Sequence, residues 1–176
     1  MNIKTFTWND IGELVEFLKR VQSNEEQSSG VTRETVVEKF TLPGLQPQSN
    51  CFLLRAGNRL VAYLLVWSEI PIGRTVLELV MSPEMCSEDA TGSLLSKGLS
   101  RSRELSASVS DLCVPTGSSL IPHLNNQGFV PVREYWVMRW HEEDLIESKL
   151  PEGFSFVSFH QDEIERLTRV QNAAFA

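Results

Sequence analysis

The sequence predicts an α+β (mixed α/β) fold, in which a mostly antiparallel sheet has helices on both faces. Helical and strand periods of apolar residues alternate along the chain. Three strand patterns follow one another between residues 51 and 81 with only short turns between them. Farther on, strands and helices alternate singly, as in a crossover connection.

The composition is that of a globular chain of one domain, or of one domain with an appendage. The 176 residues are 41% hydrophobic and 22% charged, which excludes wholesale disorder. Sixteen Lys and Arg against 23 Asp and Glu leave a net charge of −7. This balance disfavours nucleic acid and anionic membranes as partners, because both need a positive surface. The sequence has neither a long apolar run nor a signal-peptide core, so we expect a cytoplasmic protein.

Two helices are predicted near the amino terminus. Apolar residues recur at helical spacing over residues 11–21, and Thr7 with Asp10 resembles a capping box at the start of that helix. A shorter helix follows Thr32, its predicted cap. It ends at the Pro-Gly pair of residues 43–44.

The predicted strands of the antiparallel run are residues 51–55, 60–67 and 75–81. Gly57-Asn58, a hairpin-turn dipeptide, separates the first two, and Pro71 and Gly73 separate the second from the third. This spacing is typical of a meander.

The second half of the chain predicts a helix, a strand and a short helix. The first helix begins after Ser87 as its cap, the strand covers residues 109–114, and the short helix covers residues 118–126. Gly128 closes that helix, and residues 130–140 form one or two final strands.

Residues 142–152 form a charged linker after a first domain of residues 1–141. Residues 153–176 then have a strand pattern followed by a helical pattern. A shift of 153 residues aligns four positions with the start of the chain: Phe159, Glu163, Ile164 and Leu167 with Phe6, Asp10, Ile11 and Leu14. The match predicts the start of a second copy of the domain. Chance similarity between two amphipathic helices is the simpler alternative.

Three segments resemble the GNAT superfamily of acyl-CoA N-acyltransferases. They are the strand exit Val80-Met81-Ser82-Pro83-Glu84, the pair Leu94-Leu95, and Gln127-Gly128-Phe129-Val130-Pro131-Val132 before an aromatic strand. Their order is most similar to the amino-terminal half of tandem-GNAT, mycothiol-synthase-like bacterial proteins. The resemblance covers residues 1–141 and implies a GNAT-like twisted sheet.

The resemblance implies acetyl-CoA as the acyl donor. Members hold its pantetheine arm along a splayed strand and its pyrophosphate at a loop and helix start. The residues implied for the pantetheine are Leu79, Val80 and Met81. Those implied for the phosphates are Ser87, Ala90, Thr91 and Gly92.

The phosphate loop departs from the family pattern. Where members usually show Arg/Gln-x-x-Gly-x-Gly/Ala, residues 86–91 read Cys-Ser-Glu-Asp-Ala-Thr. A pyrophosphate near Glu88 and Asp89 would meet repulsion of roughly 1–4 kcal/mol per charge pair at the protein surface. Gly117 stands where members often have an Asn, and Leu124 stands where they often have a Tyr that serves as the catalytic acid.

Transfer of an acetyl group to an amine needs a base for the amine proton and an acid for the departing thiolate. The resemblance implies Glu78 as the base, and Tyr135 as the acid if its side chain points into the cleft. Strand alternation alone also predicts Glu78 as a solvated residue between Leu77 and Leu79. Both interpretations remain open at this stage.

Two functions follow. The chain is an N-acetyltransferase that acts on the amine of a small molecule, or it is a degenerate domain that has lost acetyl-CoA binding and supports a catalytic second domain structurally. Trp136, Met138 and Trp140 share one face of the final predicted strand, which predicts core or an interface. As an interface, this face would pack against such a second domain or in a homodimer. The three histidines and three cysteines lie at spacings that predict neither a metal site nor a disulfide framework.

Overall fold

The structure is a computed structural model that describes residues 1–22, 30–136 and 150–174. It divides into two units, Met1–Val132 and Arg133–Ala176, and each is described by itself.

The amino-terminal unit contains five strands and five helices among its described residues. The strands are β1 (Asn2–Thr5), β2 (Cys51–Ala56), β3 (Arg59–Glu69), β4 (Arg74–Met81) and β5 (Val109–Leu112). The helices are α1 (Ile11–Gln22), α2 (Arg33–Phe40), α3 (Pro47–Asn50), α4 (Glu88–Glu104) and α5 (Ile121–Asn126). Short 3-10 turns cover Trp8–Asp10, Ile70–Ile72 and Pro83–Met85.

The strands form one sheet in the order β1-β2-β3-β4-β5. The first three pairings are antiparallel, and β4 with β5 is parallel. The predicted fold class is therefore confirmed, and the meander from β2 to β4 lies where the turn residues indicate. Gly57 has a φ of +60° in the β2–β3 turn, a backbone conformation that glycine adopts at little steric cost.

Two hydrophobic cores lie on opposite faces of the sheet. Successive residues of β3 alternate between them, with Tyr63 and Leu65 on one face and Leu64 on the other, as the two-residue period of a strand requires. The first core contains the buried residues of α1 and α2, and the second contains those of α4 and α5. Each fully buried Leu or Phe contributes about 1.5–3 kcal/mol, so these faces hold the unit together.

Local capping explains where the helices begin. Thr32 accepts a hydrogen bond from the Thr35 N–H at 3.2 Å at the start of α2, and Ser87 accepts one from the Ala90 N–H at 3.3 Å at the start of α4. Gly128 ends α5 with a φ of +86°. The predicted caps and the glycine stop are confirmed.

The segment at residues 130–140 differs from the prediction. Residues 130–136 are irregular instead of forming a strand, and residues 137–140 lie outside the described part of the chain. A strand exists only where a neighbour takes its backbone hydrogen bonds, and no described segment pairs with residues 130–136. Between α2 and β2 the chain forms the short helix α3, which begins at Pro47.

The carboxyl-terminal unit contains one helix, α6 (Ile164–Ala174), after a 3-10 turn at Gln161–Glu163. Both lie 153 residues after the Trp8–Asp10 turn and the start of α1. The predicted strand at 154–159 is wrong, because these residues have no pairing partner among the described segments and are irregular. The second copy of the domain, and the linker at 142–152, stay predictions.

In the described ranges, no helix combines the length and the apolar character that crossing a bilayer requires.

Candidate active site

The parallel strands β4 and β5 pair over only part of β4. Their register runs from Arg74 opposite Val109 to Leu77 opposite Leu112, whereas β3 accompanies β4 as far as Met81. Beyond β5 the chain turns away through Pro115 and Gly117. Residues 78–81 consequently have a strand neighbour on one side only among the described residues, which leaves a backbone edge open to a ligand.

Glu78 is the first residue of β4 beyond the paired stretch. Its neighbours Leu77 and Leu79 point into the second core, so strand alternation turns Glu78 to the face of α1 and α2. Its side chain is 29% exposed. Glu78 is therefore a half-buried carboxylate and not a fully solvated strand residue.

Two side chains hold the Glu78 carboxylate. Lys39 of α2 donates hydrogen bonds from Nζ to both carboxylate oxygens, at 2.6 and 2.7 Å. The Tyr63 hydroxyl of β3 donates a further hydrogen bond to Oε1. The carboxylate therefore has a fixed orientation, with an ammonium group in front of it.

Tyr63 is buried, and its environment keeps the phenol protonated. Burial raises the pKa of Tyr63 well above its usual value, and the negative charge of Glu78 and the hydrogen bond to it raise the pKa further. Tyr63 consequently acts as a hydrogen-bond donor to Glu78 throughout the physiological pH range.

A cavity of about 190 Å³ opens above these residues. Its apolar walls are Leu18 of α1 together with Val31 and Val36. Its polar residues include Lys39, Tyr63 and Glu78. An apolar pocket with a few convergent polar groups is the usual form of a small-molecule site.

The three residues expected along the pantetheine lie on the open edge of β4. Leu79 and Met81 have their side chains buried in the second core, and Val80 packs against the first. Because their side chains are engaged on the two faces of the sheet, only their backbone groups are free to meet a ligand at the edge. This arrangement fits an extended amide-containing arm.

The start of α4 fits a pyrophosphate poorly. The Ala90 N–H donates to the Ser87 hydroxyl and the Thr91 N–H to the Ser87 carbonyl at 2.9 Å, so the helix uses these donors itself. The side chains of Ala90 and Thr91 are buried. The first turn also contains Glu88 and Asp89, which offset the positive end of the helix dipole.

Gly92 lies one turn farther along α4, in an open groove that it shares with Glu88, Asp89 and Gln127. A Cβ atom at Gly92 would lie 3.1 Å from Nε2 of Gln127, so the glycine permits this close approach. The Asn126 amide donates to Oε1 of Glu88 at 3.2 Å. Among the described side chains that line the groove, Glu88 and Asp89 are acidic and only that of Lys97 is basic.

Tyr135 belongs to the carboxyl-terminal unit and is 69% exposed. The guanidinium of Arg133 lies 5.8 Å from its ring centroid. Its role as an acid stays a prediction. Leu124 is buried in the second core, where its side chain has no access to a ligand.

Sequence reasoning missed Lys39 and Tyr63. A tyrosine in the otherwise apolar run of β3 is a signal, because a buried phenol needs a hydrogen-bond partner. Lys39 has no such signal, since it lies 39 residues before Glu78 on a different element. Within the described residues no group of three His, Cys, Asp or Glu side chains could hold a metal ion.

No family model matches the sequence, and no curated protein matches it. Solved structures do match the fold. A GCN5-related N-acetyltransferase from Sphaerobacter thermophilus is 14% identical with a TM-score of 0.59, over 72% of this chain and 42% of that chain. A ribosomal-protein-alanine N-acetyltransferase from Brucella melitensis biovar Abortus 2308 is 15% identical with a TM-score of 0.55, over 80% of this chain and 100% of that one.

An acetyltransferase from Trypanosoma brucei matches over 79% of this chain and 99% of that chain, at 15% identity and a TM-score of 0.54. At these identities the likeness is one of fold. The chain therefore has the fold of the GCN5-related N-acetyltransferases.

Proposed function

We propose that the chain is an N-acetyltransferase that moves the acetyl group of acetyl-CoA to the amine of a small molecule. The observation that carries this proposal is the position of Glu78. It lies where β4 and β5 separate, and its carboxylate faces a small cavity. The fold of the solved acetyltransferases supports the same function.

When bound, acetyl-CoA supplies an activated thioester carbonyl. The open edge of residues 78–81 fits its pantetheine arm, whereas the acidic start of α4 does not fit its pyrophosphate. The donor would therefore be held chiefly through its pantetheine arm.

The bound ammonium first loses one proton to solvent and becomes the nucleophilic amine. Glu78 takes the second proton as the amine nitrogen forms its bond to the carbonyl carbon, and the C–S bond of the thioester breaks to release the thiolate. The hydrogen bond from Tyr63 keeps the carboxylate oriented towards the cavity. The acceptor amine must replace the ammonium of Lys39, which occupies both carboxylate oxygens. Partly exposed ion pairs contribute only about 0–1 kcal/mol, so this exchange costs little.

Tyr135 is proposed as the acid for the departing thiolate. We also propose a cytoplasmic, bacterial protein in which residues 153–176 begin a second copy of the domain, as the 153-residue spacing of the two turn-helix starts supports.

A second function is supported by the start of α4. Glu88 and Asp89, together with the internally bonded N–H groups of Ala90 and Thr91, oppose phosphate binding. In this case residues 1–132 are a degenerate domain that supports a catalytic second copy.

The deciding experiment is calorimetric titration of acetyl-CoA into the chain and into a Glu88→Gln, Asp89→Asn double variant. Binding by the unmodified chain supports the acetyltransferase. Binding by the double variant alone supports the degenerate domain, and binding by neither contradicts the acetyltransferase.

Activity is tested by thiol release from acetyl-CoA with a panel of small amines. Glu78→Gln should lower kcat about 10²–10⁴-fold, the range typical of a lost general base. Glu69→Gln is the matched control, because Glu69 is also an ion-paired glutamate but pairs with Arg74 at the opposite end of β4. Equal loss in both variants would contradict the assignment of Glu78.

A further inference from the structure

We propose that the acceptor is a zwitterion, a small amino acid with an ammonium and a carboxylate group, and that Lys39 selects it. This inference rests on the proposed function in one respect, that Glu78 receives the acceptor amine. It adds a substrate class and a specificity residue to that site.

The charges of the cavity carry the inference. Of the described residues that line it, only Lys39 and Glu78 are charged, and they form one pair of opposite sign. Lys39 places its ammonium where an acceptor amine must lie, with both hydrogen bonds at 2.6–2.7 Å. The resting site is therefore a neutral pair in which the lysine takes the place of the substrate ammonium.

A singly charged amine and a zwitterion differ in whether Lys39 keeps a partner of opposite charge after the ligand binds. An amine without a carboxylate takes Glu78 and displaces Lys39 from the carboxylate that holds it, which leaves the half-buried ammonium without that partner. A zwitterion places its ammonium on Glu78 and its carboxylate on Lys39. Both protein charges then keep a partner of opposite sign, so the zwitterion should bind more tightly.

The cavity suits a small acceptor. Its volume of about 190 Å³ is below the range of about 300–1,000 Å³ that is typical for drug-sized ligands. The apolar walls of Leu18, Val31 and Val36 suit an aliphatic side chain.

The hydrogen bonds to Glu78 determine which group the acceptor meets there. Oε1 accepts from both the Tyr63 hydroxyl and Lys39, and Oε2 accepts from Lys39. An acceptor ammonium therefore competes with Lys39 for the carboxylate.

The experiment is calorimetric binding of a matched series to the full chain without acyl donor. Valine is the zwitterion, valinamide and isobutylamine are cations of similar shape, and isovalerate, which is valine without its amino group, is the anion. Valine should bind about two- to fivefold more tightly than each of the other three, the factor expected for one additional partly exposed ion pair.

Lys39→Met should remove this preference by weakening valine binding, so that the ratio between valine and isobutylamine approaches one. Lys39→Arg should restore part of it, because a guanidinium also pairs with a carboxylate. Lys19→Met is the control, since Lys19 is an exposed lysine of α1 paired with Glu16. It should leave the ratio unchanged.

Absence of valine binding, or equal binding of valine and isobutylamine by the unmodified chain, overturns the inference. An unchanged ratio in Lys39→Met also overturns it. The proposed function is tested separately by acetyl transfer. Equal acetylation of valine and isobutylamine would support the acetyltransferase function and contradict the zwitterion preference. Selective binding of valine without acetyl transfer would support the zwitterion site and contradict the acetyltransferase function.

Discussion

Gly98 sets how closely α4 approaches the sheet. A Cβ atom at this position would lie 2.5 Å from Cδ2 and 3.2 Å from Cδ1 of Leu64 on β3. Carbon atoms in favourable contact are about 3.5–4.0 Å apart. Gly98→Ala must therefore move the helix or the leucine by about 1 Å. Leu64 is fully buried, so it has little room to rotate.

The expected change in the free energy of unfolding for Gly98→Ala is the sum of two opposing effects. Ala is favoured over Gly in a helix by about 1 kcal/mol, and overpacking of a filled core costs about 1–3 kcal/mol. We expect Gly98→Ala to lower the free energy of unfolding by about 0–2 kcal/mol. Leu64→Ala removes the obstructing methyl groups, and in that background Gly98→Ala should raise the free energy of unfolding by about 1 kcal/mol.

The assay is urea denaturation of both single variants and the double variant, which gives the coupling free energy between the two positions. Gly12→Ala in α1 is the control, because Gly12 is exposed and no heavy atom lies within 4 Å of its would-be Cβ. It should stabilise by up to about 1 kcal/mol. If Gly98→Ala stabilises the unmodified chain as Gly12→Ala does, or if the coupling is below about 0.5 kcal/mol, the close approach of α4 is refuted.

Two further variants probe buried polar groups. Burial raises the pKa of Asp10, but hydrogen bonds from Lys4 and Thr7 outweigh it and lower the pKa below 3.8. Its stabilisation is therefore present above about pH 4 and is lost as the pH falls through the folded-state pKa. Asp10→Asn should cost about 1–3 kcal/mol in urea denaturation at pH 7, and the cost should fall as the pH is lowered through the folded-state pKa of Asp10. A cost that does not change over this titration would contradict the charge-based role. Asn50 is buried, donates to the Leu45 carbonyl at 2.6 Å and accepts from Nε of Arg101 at 2.8 Å. Asn50→Ala should lower the free energy of unfolding by about 2 kcal/mol, and a loss below about 0.5 kcal/mol would show that water replaces both partners.

The elements predicted correctly depend on short-range interactions. The start of α4 follows from Ser87 and its hydrogen bond to a backbone three residues away. The β2–β3 hairpin follows from a turn dipeptide that adopts a positive φ at Gly57. The separation of the two cores follows from the alternation of β3. Each of these features is encoded within a few residues of where it occurs.

The predictions of strands at 130–136 and 154–159 were wrong because a strand depends on a partner that is distant in sequence. An alternating apolar pattern is necessary for a half-buried strand but does not provide the neighbouring strand that completes its hydrogen bonds. The helical spacing of apolar residues predicted α1 and α6 correctly, because a helix satisfies its backbone hydrogen bonds within the segment.

The features of the candidate site likewise divide into those that the sequence predicts and those that depend on the tertiary structure. The sequence alone determined that Glu78 lies on the last antiparallel strand, that its neighbours point into a core, and that acids begin the next helix. Only the tertiary structure decided that β5 leaves β4 just before Glu78, and that Lys39 and Tyr63 meet its carboxylate. The physical reason is distance along the chain. Helix caps and turns join residues a few positions apart, whereas an ion pair between two elements depends on how each packs on the sheet.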